Sequence, residues 1–351
     1  MIGASSFSTS LRQSLGLAIG LVGAVIASRL GIPLPWMLGP ILLVTLAAVL
    51  GASLAAPILL RKLLLPILGV MLGSAFSPNL FGQASSWLFT IAILPIYITV
   101  ASGLAFLVYR KIGGYDVVTA YFSSAPGGLS DMMIIGSEAG GVERRIALAH
   151  ASRILVVVGF VSFFFSVVMD VSATGNARLY TGFADVSSWD LVILAACAVA
   201  GAWLGPKLRL PAPQILGPML LSAIVHLAGL TNAPPPTLAV NTAQLVMGTV
   251  VGCRFLGVPA REILRDLALA SLASGLMLVV AICTALIVMQ VSGIGFGQTF
   301  LTFAPGGLPE MSLLSLAMGA DVAYVVTIHV LRVTLVIAVA PLVFKALRAR
   351  V

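Results

Sequence analysis

Ala125-Pro126-Gly127-Gly128-Leu129 interrupts a very apolar chain, and the same five residue types return 179 positions later as Ala304-Pro305-Gly306-Gly307-Leu308. Proline removes a main-chain hydrogen-bond donor and paired glycines favour turns, so each copy predicts a break in a helix. Ionisable residues follow the two copies at matching offsets: Asp131, His150 and Arg153, then Glu310, His329 and Arg332. This doubled pattern predicts an internal repeat built around two broken helices.

The composition places this chain in a membrane. Of its 351 residues, 60% are hydrophobic and 9% are charged, whereas soluble domains carry about 25% charged residues. Apolar stretches of about 20 residues, separated by short polar turns, match helices that span a hydrocarbon core of roughly 30 Å. We therefore predict an all-α integral membrane protein whose direct partner is the lipid bilayer.

The charges and cysteines exclude some other classes. The net charge of +8 does not indicate a nucleic-acid partner, because the basic residues are dispersed at predicted helix ends. Cys197, Cys253 and Cys283 lie in or beside apolar stretches without metal or disulfide spacing, so they are expected to pack as small side chains. We expect no cofactor and no metal site.

Six elements are predicted in the first half from its apolar runs and helix breakers. Their approximate ranges are 15–28, 36–53, 63–76, 87–109, 115–139 with the break inside it, and 144–169.

The second half repeats this plan. Leu-Gly-Pro at 216–218 matches Leu-Gly-Pro at 38–40. The second broken element spans 297–319, and the last helix spans 322–347. The chain is therefore divided into three parts: membrane repeat 1 at 11–169, a polar linker at 170–190 and membrane repeat 2 at 191–348.

The arginines and lysines predict the symmetry of the two repeats. If each broken element is a re-entrant hairpin, each half has five crossings and the repeats are inverted. Fifteen basic residues then lie on one side and two, Arg29 and Arg178, on the other. The fifteen are Arg12, Arg61, Lys62, Arg110, Lys111, Arg144, Arg145, Lys207, Arg209, Arg254, Arg261, Arg265, Lys345, Arg348 and Arg350.

This imbalance favours ten crossings with both termini in the cytoplasm. Six crossings per half would instead give parallel repeats and a nearly even distribution. In an alternative arrangement, each broken element crosses the membrane fully and another segment of the same half does not. Each half then still has an odd number of crossings, so the sequence does not decide between the two arrangements. We expect a multi-pass protein of the bacterial inner (plasma) membrane.

The two breaks are the predicted binding site. Non-helical backbone at membrane depth is tolerated inside protein or along a watery cavity, and exposed amides at a helix start favour anions. A simple kink or a close-packing turn is the alternative. The candidate substrate-binding residues are Ser124, Ala125, Pro126, Gly127, Gly128, Ala304, Pro305, Gly306, Gly307, Arg153 and Arg332.

The acids and histidines are the candidate coupling or ion-pair residues. Asp131 and Glu310 each follow a break by about one helical turn, where either helix capping or proton and sodium binding would use a carboxylate. His150 and His329 each lie three residues before an arginine and share its helix face. An arginine this deep needs a partner, and we predict Asp131 and Glu310 for that role.

The doubled motif, the following His and Arg residues and the two Leu-Gly-Pro segments resemble the bacterial membrane AbrB family, whose members carry a duplicated membrane domain. The resemblance covers nearly the whole chain. It implies a membrane fold and carries two functional labels, regulation of gene expression and putative ammonia monooxygenase. The residues favour neither label directly, since a soluble DNA-binding region and a metal-like histidine set are both missing from the sequence.

Three functions compete at this level. The first is a secondary transporter of a small solute, with anions a candidate class, coupled to protons or another ion. The second is a membrane sensor or regulator of gene expression that signals through a partner on the cytoplasmic loops. The third, a membrane oxygenase, would need bound metal. We expect a transporter and not an enzyme, and leave homo-oligomerisation open.

Overall fold

The computed structural model describes residues 2–76, 86–169 and 181–348. Within those residues the chain forms fourteen α-helices and no strand, which confirms the all-helical prediction. In chain order they are α1 (Ile2–Arg29), α2 (Pro35–Val49), α3 (Ile58–Gly73), α4 (Trp87–Leu107), α5 (Val117–Ser124), α6 (Leu129–Glu138), α7 (Glu143–Val167), α8 (Ser188–Lys207), α9 (Pro213–Leu227), α10 (Thr237–Gly252), α11 (Ala260–Ser292), α12 (Phe296–Phe303), α13 (Leu308–Ala317) and α14 (Val322–Arg348).

Both predicted breaks occur where the Pro-Gly-Gly sequences lie. The first separates α5 from α6, and the second separates α12 from α13. The helices α1 to α7 and α8 to α14 match one another in order, with seven helices in each half. Residues 170–180 of the predicted linker lie outside the described residues, and α8 begins at Ser188. The assignment of repeats and linker stays a prediction.

By length and apolar composition, six helices in the described part of the chain are able to cross a membrane. They are α1, α4, α7, α8, α11 and α14, which form three matched pairs between the halves. Apart from the short helices beside the two breaks, four further matched helices, α2, α3, α9 and α10, have 15 or 16 residues. Their length is about 22–24 Å at 1.5 Å per residue. The structure thus supports a multi-pass protein, while ten crossings and inverted symmetry stay predictions.

The helices form two compact units, and each unit takes matching elements from both halves. The first comprises Met1–Pro78, Ser162–Ala260 and Leu316–Met318. In it, α2 packs against α1 and α10, while α9 packs against α8 and α3. The short helices α2 and α9, which match one another in the two halves, therefore have matching neighbours.

Glycine permits the closest of these contacts. A methyl group added at Gly39 would collide with the main chain of Gly23, and one at Gly217 with the main chain of Gly201. Small residues let helix backbones approach in this way. Both short helices also start from a left-handed residue before proline, Leu34 in one half and Ala212 in the other. The two halves therefore share local backbone geometry as well as helix order.

The second unit comprises Asn79–Val161, Arg261–Ser315 and Gly319–Val351. It contains both breaks, most of α7 and the whole of α14. Within it, α4 packs against α5 and α14, and α12 packs against α14. All candidate site residues belong to this unit.

Candidate functional site

The proline determines the backbone at each break. Ala125 (φ −66°, ψ 127°) and Ala304 (φ −50°, ψ 132°) are extended, as the steric demand of a following proline requires. Each preceding helix therefore ends at the residue before alanine, and its last carbonyls lack the donors that a continuing helix would supply. A break in a buried apolar setting needs other donors for those carbonyls.

The two arginines supply these donors. Arg153 donates to the carbonyl oxygen of Ala125 at 3.0 Å. Arg332 donates to the carbonyl oxygens of Ala304 at 2.7 Å and Gly306 at 2.8 Å. Both side chains are buried, so each guanidinium group is a built-in clamp on one break. Charge-assisted bonds of this kind are stronger than neutral ones.

The two histidines complete the clamps. Nε2 of His150 lies 2.9 Å from the carbonyl oxygen of Phe122, and Nε2 of His329 lies 2.9 Å from that of Leu301. Nδ1 of each ring faces the neighbouring arginine, at 2.9 Å in the first clamp and 3.0 Å in the second.

These contacts determine the histidine protonation state. A carbonyl only accepts and a guanidinium only donates, so Nε2 must carry the proton and Nδ1 must accept. Both rings are therefore held as the neutral Nε2–H tautomer. Their observed role is to position the arginines and to satisfy a helix-end carbonyl.

The two acids lie at the starts of the helices that follow the breaks, and their predicted pairing with the arginines stays a prediction. In the described part of the chain, both guanidinium groups bond to main-chain carbonyls and to the neighbouring histidines. Each acid lies in the first turn of its helix, and its carboxylate approaches the glycine three residues earlier, Gly128 or Gly307. The positive helix start favours a carboxylate at this position.

The first break also contacts the second half of the chain. Gly127 lies against the side chain of Val336, which is one helical turn beyond Arg332 on α14. The hydroxyl of Tyr121 donates to the carbonyl oxygen of Ala340, at 2.9 Å. The first break is therefore close to the helix that clamps the second break.

An apolar cavity of about 620 Å³ lies beside the first break. Its walls come from α4, α5 and α14, and the predicted residues Ser124, Ala125 and Pro126 form part of the lining. The Ser124 hydroxyl is bonded to the carbonyl oxygen of Tyr121, at 2.8 Å.

Tyr97 belongs to this region although sequence reasoning did not select it. Its ring meets that of Phe303 edge-on at 5.1 Å, directly before the second break. Its side chain is buried, and the charges of both Arg153 and Arg332 act on its hydroxyl. The sequence does show a tyrosine halfway along the 21-residue apolar helix α4. Because buried phenols usually find a polar partner, this position could have indicated a polar neighbour.

Comparison with known proteins gives a consistent picture. A family model described as "Transition state regulatory protein AbrB" matches residues 36–348. A Bacillus subtilis (strain 168) protein named "Uncharacterized protein YhjN" is 28% identical over 352 residues, covering 94% of this chain and 92% of that protein. An Escherichia coli (strain K12) protein named "Putative regulator AbrB" is 25% identical over 342 residues, covering 95% and 93%.

Proposed function

We propose that this chain, which belongs to the AbrB family, is a secondary transporter that moves a small solute across the bacterial inner membrane with proton or ion coupling. The observation that carries the proposal is the pair of clamped helix breaks in one compact unit. Each break is held by a buried arginine and a neutral histidine. Discontinuous helices of this kind form substrate sites in many transporters.

The clamps give the breaks a defined chemistry. Arginine occupies the carbonyls at the end of α5 and of α12, so the first amides of α6 and α13 remain the groups that can face a solute. Those amides and the helix dipoles favour negative charge. The proposal therefore assigns the main-chain segments Ser124 to Gly128 and Ala304 to Gly307 to solute binding.

Coupling is assigned to the two acids. Glu310 is buried and Asp131 is partly buried, each within one turn of a break. A carboxylate at this depth can take up a proton or sodium and thereby link its charge state to the adjacent break. The histidines are less suited to this task because both ring nitrogens already have partners.

The proposed topology has inverted repeats, ten crossings and cytoplasmic termini. It is supported by the fifteen-to-two distribution of basic residues and by the matched order of helices in the two halves. A reporter fused within residues 170–180 should be periplasmic. A cytoplasmic reporter at that position would contradict the inverted arrangement.

Charge movement in proteoliposomes on a solid-supported membrane tests the transport function directly. A panel of small carboxylates, inorganic anions and amino acids is applied, and at least one should evoke a current. Glu310→Gln should abolish that current, whereas Glu138→Gln, an exposed change at the end of α6, should leave it unchanged. A silent panel with correctly folded protein would contradict transport.

A membrane sensor or regulator is the second candidate, favoured by the similarity to the Escherichia coli protein named "Putative regulator AbrB". It predicts a partner on the basic cytoplasmic segment at the start of α11. Arg261 is the cleaner test position because Arg265 already donates to the carbonyl oxygen of Gly113 at 2.6 Å. A regulatory phenotype lost in Arg261→Ala and retained in Glu310→Gln would favour sensing over transport.

A further inference from the structure

Among the buried polar atoms near the two breaks that have no hydrogen-bond partner in the described residues, three are donors on Tyr97 and the two clamp arginines. They are the hydroxyl of Tyr97, Nε of Arg153 and Nε of Arg332. The three side chains are only 2%, 6% and 2% exposed. Buried polar groups are nearly always paired, so three such donors near one site require an explanation.

The three donors belong to one neighbourhood. The charges of both arginines act on the Tyr97 hydroxyl, and the charge of Arg332 acts on Arg153. The packing agrees, since Tyr97 contacts Phe303 before the second break and Gly127 of the first break contacts Val336. Val336 is one turn from Arg332, so α14 connects the two clamps.

The charges of Arg153 and Arg332 repel one another, and the low dielectric of a protein interior strengthens that repulsion. Each Nη atom has a neutral partner, a main-chain carbonyl or a histidine ring, and these partners carry no charge to offset the guanidinium. A compact anion between the arginines would offset the repulsion and accept from the free donors.

We propose that Tyr97, Arg153 and Arg332 form a binding site for a compact anion, with the Tyr97 hydroxyl and the two Nε–H groups as its donors. This inference rests on the proposed function, because it identifies the solute class as anionic. The arginines then have two roles on different atoms: Nη holds the breaks and Nε binds the solute. A small carboxylate and an inorganic halide share the chemistry that these donors recognise.

Bromide binding to the detergent-solubilised full chain tests the site without requiring transport. The linewidth of the ⁸¹Br NMR signal should broaden with the protein relative to empty micelles. Tyr97→Phe removes one donor to a charged ligand and leaves both clamps intact. It should weaken bromide binding by about tenfold.

Tyr324→Phe is the matched control, because that buried hydroxyl is already paired with Thr90 at 2.8 Å. It should bind bromide as the unmodified chain does. Acetate is then added as a competitor. Displacement of bromide by acetate would show that the site accepts carboxylates, and bromide retained against acetate would assign it to halides.

Equal broadening for the unmodified chain and Tyr97→Phe would overturn the proposed site, as would a linewidth no greater than that of empty micelles. Substitution of either arginine is a weaker test because loss of a clamp endangers folding. Bromide binding without any solute-evoked current would leave the anion site standing and contradict transport. A solute-evoked current without Tyr97-dependent bromide binding would support transport and contradict the anion site.

Discussion

The first and second breaks have the same sequence and the same kind of arginine–histidine clamp, yet they differ in the number of carbonyls held and in burial. Arg153 holds one carbonyl of the first break, whereas Arg332 holds two carbonyls of the second. Gly127 is partly exposed beside the apolar cavity, whereas its counterpart Gly306 is buried. The repeated motif thus determines which groups hold each break. The surrounding helices determine how deeply that break is buried and how firmly it is held.

The helices that follow the breaks show the same difference. Residues Leu308 to Ser315 of α13 are buried throughout, whereas α6 has several exposed positions. We infer that the second break is the fixed side of the site and that the first is the side that opens. Elements that move in function come from the less stable part of a structure.

Removal of the arginines should give the largest difference in the free energy of unfolding between the two breaks. Within the described residues, Arg332 makes three hydrogen bonds and Arg153 makes two. Because each bond to a charged group contributes about 1.5–3 kcal/mol, Arg332→Ala should lower the free energy of unfolding by about that much more than Arg153→Ala does. Denaturant titration in detergent measures both variants.

The control for both is Arg29→Ala, an exposed change at the end of α1. It should alter the free energy of unfolding by no more than about 0.5 kcal/mol. Equal losses for Arg153→Ala and Arg332→Ala would remove the distinction between a firmly held and a loosely held break.

Cysteine labelling should report the same difference as a rate. Leu129 and Leu308 are the last residues of the two motifs, and the first is partly exposed while the second is buried. In a background where the exposed Cys283 is replaced by serine, Leu129→Cys should react with a maleimide at least several-fold faster than Leu308→Cys. Faster labelling at Leu308→Cys would reverse the assignment of the fixed and opening sides.

The helix that leads into the first break depends on a cap. Asp116 accepts a hydrogen bond from the amide of Thr119 at 2.9 Å, at the start of α5. Asp116→Ala should cost about 1 kcal/mol of unfolding free energy. An unchanged free energy of unfolding at neutral pH would show that the cap does not stabilise α5.

This cap also has a predictable pH dependence. Burial raises the pKa of Asp116, but its hydrogen bonds with Thr119 outweigh burial and hold the pKa below its ordinary value. The stabilisation is therefore present above the ordinary pKa and is lost as pH falls through the folded-state value. The difference between the unmodified chain and Asp116→Ala should shrink in acid.

The smallest effect is expected at the matching position of the second half. Gly295 starts α12 with an extended backbone and no side-chain cap, and a Cβ atom there would meet nothing within 4 Å. Gly295→Asp should add the cap and raise the free energy of unfolding by about 0.2–0.5 kcal/mol. A loss of stability would mean that α12 does not tolerate the geometry that α5 uses.

The sequence predicted the local features of this protein better than its tertiary ones. Proline and glycine act on their own backbone, so both breaks and most helix ranges were predicted correctly. The partners of Arg153 and Arg332 could not be predicted, because the carbonyls that they clamp belong to helices 28 residues earlier in the chain. Tyr97 was missed for the same reason, since the role proposed for it depends on Arg153 and Arg332, which lie on two other helices.

Identical motifs also concealed the difference between the breaks. Ala-Pro-Gly-Gly-Leu appears twice without change, so no residue inside it marks one copy as buried and the other as accessible. The difference arises from neighbours such as α13, whose first turns are buried, and from the cavity beside α5. Packing between distant segments determines such features.

A crystal structure of the full chain soaked in bromide, with anomalous data, tests the central claim most directly. The account predicts one anomalous peak within hydrogen-bond distance of the Tyr97 hydroxyl and the Nε atoms of Arg153 and Arg332, between the two breaks. Bromide found only at the protein surface, with water or a side chain on those three donors, would contradict it.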